Sequence, residues 1–303
     1  MDVAEARIDG VCELDVDRYD ILLQTLGVAA WVRDFRRGRY LSDACTGDYM
    51  PAEWYTCPPA LIPLTANGSM PAYKGIWTRW FCGDPLRRYV VAGPEDSFLL
   101  REIGLTDEQF GAWQIVKAIV AQNGVDEEIK ALGVACGHRD LSLFDEHTMQ
   151  FGDDDRHIPE LPAFRNCVPA GLGDRPSGYA ITPPNANAPL AEMAFFELTG
   201  GSRAHLSERN DVPPWMLPAA SVALLFDDYL ARGCLQEAWL TLNSTGWTIS
   251  RARKAALALS KAAQNETFTL QMKAWSEFSL DKAGFISDDQ LSGPGNSHHD
   301  DGY

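Results

Sequence analysis

A chain of 303 residues with 46% hydrophobic and 22% charged residues is ordinary globular material, with room for one large domain or two of average size. Its formal net charge of −16 argues against a nucleic-acid binder, which needs a basic face to displace counterions, and would steer a basic partner toward it. No run approaches the roughly eighteen apolar residues of a membrane-spanning helix. The acidic start MDVAEARIDGVCELDVD also lacks the basic and apolar regions of a secretory signal, so neither is expected.

Seven cysteines (Cys12, Cys45, Cys57, Cys82, Cys136, Cys167, Cys234) are scattered, odd in number and form no CxxC pair. A reduced, cytoplasmic protein uses cysteine this way, mostly as a small buried hydrophobe.

In chain order, residues 1–20 are acidic and lead into a first helix predicted over Ile21–Trp31, where Leu22, Leu26 and Trp31 recur near helical spacing. Arg33, Arg36, Arg37 and Arg39 form a local basic run, read as a solvated face paired with nearby carboxylates. The stretch Trp54–Val91 follows, and the rest of the chain reads as its support. Leu61-Ile62-Pro63-Leu64 predicts a strand whose proline must face an edge or a bulge. Asn67-Gly68 supplies a turn. Tyr73 to Phe81 predicts a second strand, and after a turn at Asp84-Pro85 the residues Arg88–Val91 form the return. Alternation places Ile76, Thr78 and Trp80 on one face and Gly75, Trp77 and Arg79 on the other. The aromatic rings suit a core. Trp, Tyr and Arg are also the usual anchors of interfaces, so Trp77, Arg79 and Trp80 are the candidate partner-binding residues.

Thr106 is a predicted N-cap, and the helix after it ends at Asn123-Gly124. Shorter helices are predicted over Asp126–Leu132 and Leu141–Met149. Asp153, Asp154 and Asp155 beside His157 do not match a calcium loop, which alternates its ligands, and read as a solvated acidic loop. No metal and no cofactor is called for. Residues 158–189 are rich in Pro and Gly and predict a long connection. From Pro213 the chain turns helical: Met216–Ala231, Leu235–Leu242, Ala252–Ala263 capped by Thr248 or Ser250, and Glu266–Phe278. The polar, Gly-rich end is expected to be disordered.

These elements predict an α+β fold. A small antiparallel or mixed sheet with flanking helices occupies residues 1–157, a Pro/Gly-rich connection residues 158–212, a helical subdomain residues 213–285, and a disordered tail residues 286–303.

Signatures of catalysis are missing: there is no GxSxG elbow, P-loop or GxGxxG after a strand. Cys136-Gly-His138 places a thiol beside an imidazole in sequence only. The pattern Leu61-Ile-Pro-Leu64, Ala66-Asn-Gly-Ser69 and Tyr73, returning through Tyr89-Val-Val91, resembles the centre of the SUKH-type bacterial immunity proteins. The resemblance implies an α+β fold and a non-catalytic role in toxin neutralisation. This chain inserts Trp77–Arg88 into that pattern and adds a helical C-terminal half.

The leading expectation is therefore a non-catalytic, acidic, cytoplasmic binding protein, with an immunity protein against a basic toxin as its instance. Nucleic acid and membrane are not expected partners. Two alternatives stay open. One is an enzyme whose site is assembled from His138, His147, Asp153–Asp155 and His157. The other is a scaffold that docks partners on its C-terminal helices.

Overall fold

A computed structural model describes residues 13–41, 48–49, 57–67, 72–83, 86–92, 100–169, 171–172, 190–197, 206, 209–217 and 220–278. Gly68, the Asp84-Pro85 turn, most of the Pro/Gly-rich connection and the tail from 286 lie outside them.

The first helix differs from its prediction. Helix α1 spans Glu13–Thr25, and Gly27 then takes φ 70, a left-handed turn that glycine adopts without a Cβ clash. The chain re-enters as α2, Ala30–Arg36, so the predicted Ile21–Trp31 helix is two helices. Both bury an apolar stripe: Leu22 and Leu23 from α1, Trp31, Val32 and Phe35 from α2.

Among the described residues five strands follow: β1 (Asp48–Tyr49), β2 (Leu61–Asn67), β3 (Ala72–Thr78), β4 (Arg87–Ala92) and β5 (Leu100–Gly104). They pair in chain order as an antiparallel meander. The three strands predicted around Trp77 are therefore present, and the sheet is antiparallel; the second ends at Thr78 and not at Phe81, because the chain turns at Trp80-Phe81, where Phe81 takes φ 64. Pro63 sits where the β2–β3 register shifts, so its missing N–H falls at an irregularity, and its carbonyl accepts from the Tyr19 hydroxyl at 2.8 Å. Gly75 has no room for a side chain, since a Cβ there would lie 2.6 Å from the Ile62 oxygen.

One sheet face carries Ile62, Ile76 and Tyr89 in register. Helix α3, Asp107–Gln122, covers it, and the Tyr89 ring stacks on Phe110 at 4.4 Å. The Thr106 hydroxyl accepts from the Gln109 N–H and starts α3, and Asn123 ends it at φ 57, as its sequence predicts. Helices α4 (Glu127–Cys136) and α5 (Ser142–Phe151) pack on α3.

Four helices close the described chain: α6 (Val222–Ala231), α7 (Leu235–Leu242), α8 (Ile249–Ala263) and α9 (Glu266–Phe278). Helix α6 begins later than the predicted Met216. Pro214–Met216 form a 3-10 turn instead, and the sequence next supplies Pro218, which a helix interior does not accommodate. Thr248 caps α8 as expected.

The helical array packs directly on the sheet. The Ala60 N–H donates to Asn243 Oδ1 at 2.7 Å, and Gln271 Nε2 donates to the Pro59 carbonyl at 2.8 Å. Trp275 Nε1 donates to the Cys57 carbonyl at 2.9 Å, and α9 also packs on α1. Trp239 and Trp275 are fully buried, and one continuous core runs from Tyr19 to Trp275. The boundaries drawn around residues 158–212 therefore separate stretches of chain without separating cores.

Among the described strands β5 lies at an edge of the sheet, and the chain at Gly171 lies against it. A Cβ on Gly171 would fall 2.2 Å from the Glu102 oxygen and 2.9 Å from its nitrogen.

Candidate functional site

The structure corrects the proposed binding face. Trp77 and Trp80 are only 3% and 6% exposed, and the Arg79 side chain 11%. Their places follow from two distant segments that cover them. Trp80 lies beneath α9, where its Nε1 donates to Gln271 Oε1 at 2.7 Å and its ring meets Phe268 edge-on at 5.3 Å. Trp77 and Arg79, on the opposite face, converge on Glu197. The Trp77 indole bonds that carboxylate, Arg79 Nε stands 3.4 Å from its Oε1, and Oε2 accepts from the Ala194 N–H at 2.8 Å. Arg79 Nη2 also donates to the Glu192 carbonyl at 2.8 Å. Burial pushes the Glu197 carboxyl above its usual range, and the Arg79 charge pulls it back.

This buried cluster is a clamp. It holds residues 190–197 between the sheet and the helical array, to which the Phe195 N–H (to Ser244 Oγ, 3.1 Å) and the Trp215 indole (to the Met193 carbonyl, 2.9 Å) tie the same segment. Neighbouring Cys82 is pushed up to about 12 by burial, so it is a thiol and a poor nucleophile at neutral pH. Sequence reasoning missed Glu197. Its signal was a single carboxylate inside the apolar run Ala194-Phe-Phe-Glu-Leu198.

The basic run behaves as expected at three of its four arginines: Arg33 and Arg37 pair with Asp20 at 3.0 and 3.4 Å, and Arg39 with Asp34 at 2.8 Å. Arg36 is the correction. It is buried, with its guanidinium 3.8 Å above the Tyr19 ring, a cation–π contact that desolvation strengthens.

The acidic loop is less solvated than its sequence suggests. Asp155 is half-buried against Arg101, with Lys117 at 3.4 Å and the Trp113 indole at 3.3 Å. Asp153 pairs with Lys117 at 2.9 Å. Asp154 takes Arg156 Nε at 2.8 Å, and these bonds hold its carboxyl down to about 2. All three carboxylates are thus committed to cations. His147 and His157 both meet the Phe151 ring, with ring centroids 5.2 and 4.0 Å from it, and His157 Nδ1 faces Glu160 Oε1 at 2.7 Å. His138 is placed apart, against the Glu108 carbonyl and the Phe144 ring. His147 Nε2 is buried without a hydrogen-bond partner, and burial holds the imidazole below its ordinary value.

The concentrated charge lies elsewhere than the aromatic stretch. Residues 126–160 hold ten carboxylates against three cations (Lys130, Arg139, Arg156), a net −7 of the chain's −16. Glu127, Glu128, Asp140, Glu146, Asp153 and Glu160 are exposed. The outer sides of α4 and α5 expose aliphatic groups among them: Val134 at 65%, Leu143 at 43% and Met149 at 83%. At the α8–α9 turn an open groove of about 530 Å³ is lined by Lys261, Glu266 and Lys273, and its two hydroxyls, Ser260 and Thr269, bond each other at 2.9 Å.

No family model, curated protein or solved structure matches the chain.

Proposed function

We propose that this is a non-catalytic binding protein that captures a basic protein partner, acting in the cytoplasm as an immunity protein does when it neutralises a toxin. One observation carries the reading: α4, α5 and the loop after them hold a net −7 of the chain's −16, or −5 when Arg101 and Lys117, which pair with Asp155 and Asp153, are counted in, and six of their carboxylates are exposed. Such a lobe steers a basic protein and raises its rate of encounter. The resemblance to SUKH-type immunity proteins supplies the toxin class, and the antiparallel β2–β3–β4 meander coincides with the stretch that carries it. The buried tryptophans contribute to this function as scaffold, by fixing the sheet on which α3 and then α4 and α5 are laid.

The test is direct association. The protein is titrated by calorimetry against a panel of basic bacterial toxin domains, with an acidic domain of similar size as control. A one-to-one complex of submicromolar Kd at about 0.15 M salt, together with rescue of cells expressing that toxin, is the expected result. Failure to bind any basic domain better than the acidic control would sink the proposal.

A further inference from the structure

We infer that Arg36, buried where α1 meets α2, anchors an oxyanion site that takes a small, doubly charged ligand of the phosphate class. The inference goes beyond the binding role proposed above and uses none of the same residues.

The cation is buried and its hydrogen bonds are unmade. Arg36 is 6% exposed, and its Nε is buried with no partner. Among the described residues, no carboxylate or carbonyl accepts from its terminal nitrogens. Its guanidinium lies 3.8 Å from the centre of the Tyr19 ring, and the Tyr19 hydroxyl is tied to the Pro63 carbonyl at 2.8 Å, which fixes that ring beside the cation. The ring attracts the positive charge, but a π face offers no acceptor to a fork of five N–H donors. A buried guanidinium without acceptors is costly, and proteins normally pair one. Burial pulls the Arg36 pKa below its ordinary value, while an arginine stays charged.

The carboxylates nearby are already engaged. Asp20 takes Arg33 at 3.0 Å and Arg37 at 3.4 Å. Asp34 takes Arg39 at 2.8 Å and Arg37 at 3.7 Å. Four arginines thus stand against two carboxylates, and Arg36 is the one that neither carboxylate pairs with. This corner is basic in a chain whose net charge is −16. A dianion matches a surplus of two positive charges, whereas one carboxylate would leave half of it. The planar fork also suits an oxyanion, to which it can give two parallel N–H···O bonds. Trp31, Val32 and Phe35 are buried along the same helix, so the fork is held in place before a ligand arrives, which lowers the entropy cost of binding.

The experiment is calorimetry and thermal melting of the full chain with inorganic phosphate at about pH 8, where the anion is doubly charged, against acetate and chloride at equal ionic strength. Phosphate should bind with a Kd below about 1 mM and at least about tenfold more tightly than acetate. At about 10 mM it should raise Tm by about 2–5 °C over chloride. Arg36→Met roughly keeps the volume and removes the buried charge. It should melt at or above the wild-type temperature without phosphate and lose the phosphate response. Arg36→Lys keeps the charge and loses the fork, and should weaken phosphate about tenfold or more. Arg232→Gln removes an exposed arginine that pairs with Asp228 of α6 at 2.8 Å, and it should stay within about twofold of wild type.

A wild-type chain that ignores phosphate overturns the site, as does an Arg36→Met variant that still binds it. If Arg36→Met fails to fold, Arg36→Lys decides alone, and undiminished binding there overturns the fork. Acetate as tight as phosphate overturns the dianion. Equal weakening by Arg232→Gln reduces the effect to generic electrostatics and overturns the site.

Discussion

At the scale of single residues, the aromatic stretch shows what a sequence can and cannot place. Alternation puts Trp77 and Trp80 on opposite sides, and the structure buries them against different covers, although Trp80 lies in the turn after β3 and not in the strand. It could not show that Glu197 would close over one side and α9 over the other, because both covers come from more than a hundred residues away in the chain. The tryptophans are therefore core, and truncating them should cost fold before it costs binding. Trp80→Ala removes a buried ring and strands the Gln271 acceptor, so urea denaturation should show a loss of about 3–5 kcal/mol. A loss below about 1 kcal/mol would return Trp80 to the surface. His147 makes a second residue-level prediction. Burial lowers its folded-state pKa below the ordinary 6.5, with Glu160 pulling up and His157 pushing down. The unfolded chain therefore takes up the proton first, and stability should fall as pH drops from about 6.5, by at most about 1.4 kcal/mol per unit for one proton. His147→Leu should flatten the slope in that window. An unchanged pH profile would show that the imidazole reaches solvent.

At the scale of elements, the α+β character, the β2–β3–β4 meander and the caps at Thr106 and Thr248 were legible, because each rests on local chemistry: alternation, a side-chain acceptor, a left-handed stop. Two boundaries were not. A glycine inside an apolar pattern reads as tolerated, and Gly27 instead ended a helix. The run from Met216 looks helical until Pro218 is given its weight. Neither division into subdomains nor the choice of site could be read locally, since both depend on which faces meet. The contact between sheet and array predicts a specific cost. Gln271 accepts from Trp80 and donates to Pro59 and Thr78, all buried. Gln271→Ala leaves the Trp80 indole and the Pro59 carbonyl without this partner, at about 1–3 kcal/mol for each that finds no water, while the Thr78 hydroxyl keeps its bond to the Ala60 carbonyl. Because the core is shared, heat should unfold sheet and helices together, so far-ultraviolet circular dichroism and tryptophan fluorescence should give one coincident transition. Two separated transitions would restore independent subdomains.

At the scale of the whole molecule, the uneven charge predicts how association responds to salt. Raising ionic strength from about 0.02 M to about 0.5 M, where the Debye length falls below about 5 Å, should slow binding of a basic partner while leaving its dissociation nearly unchanged. Stopped-flow fluorescence separates the two rates, and a salt-independent association rate would remove steering from the account. The contact at Gly171 has a consequence of another kind. An edge strand that loses its cover is a template for any other strand that drifts past, and a nascent or heated chain offers many. Residue 171 can guard β5 only because it has no side chain. Gly171→Ala should push the guard off by the width of a methyl group, and the variant should then precipitate on heating faster than wild type at equal protein concentration, as light scattering would record. That one hydrogen-for-methyl position links the shape of a strand margin to colloidal behaviour, and so to how much of the protein a crowded cell can keep in solution.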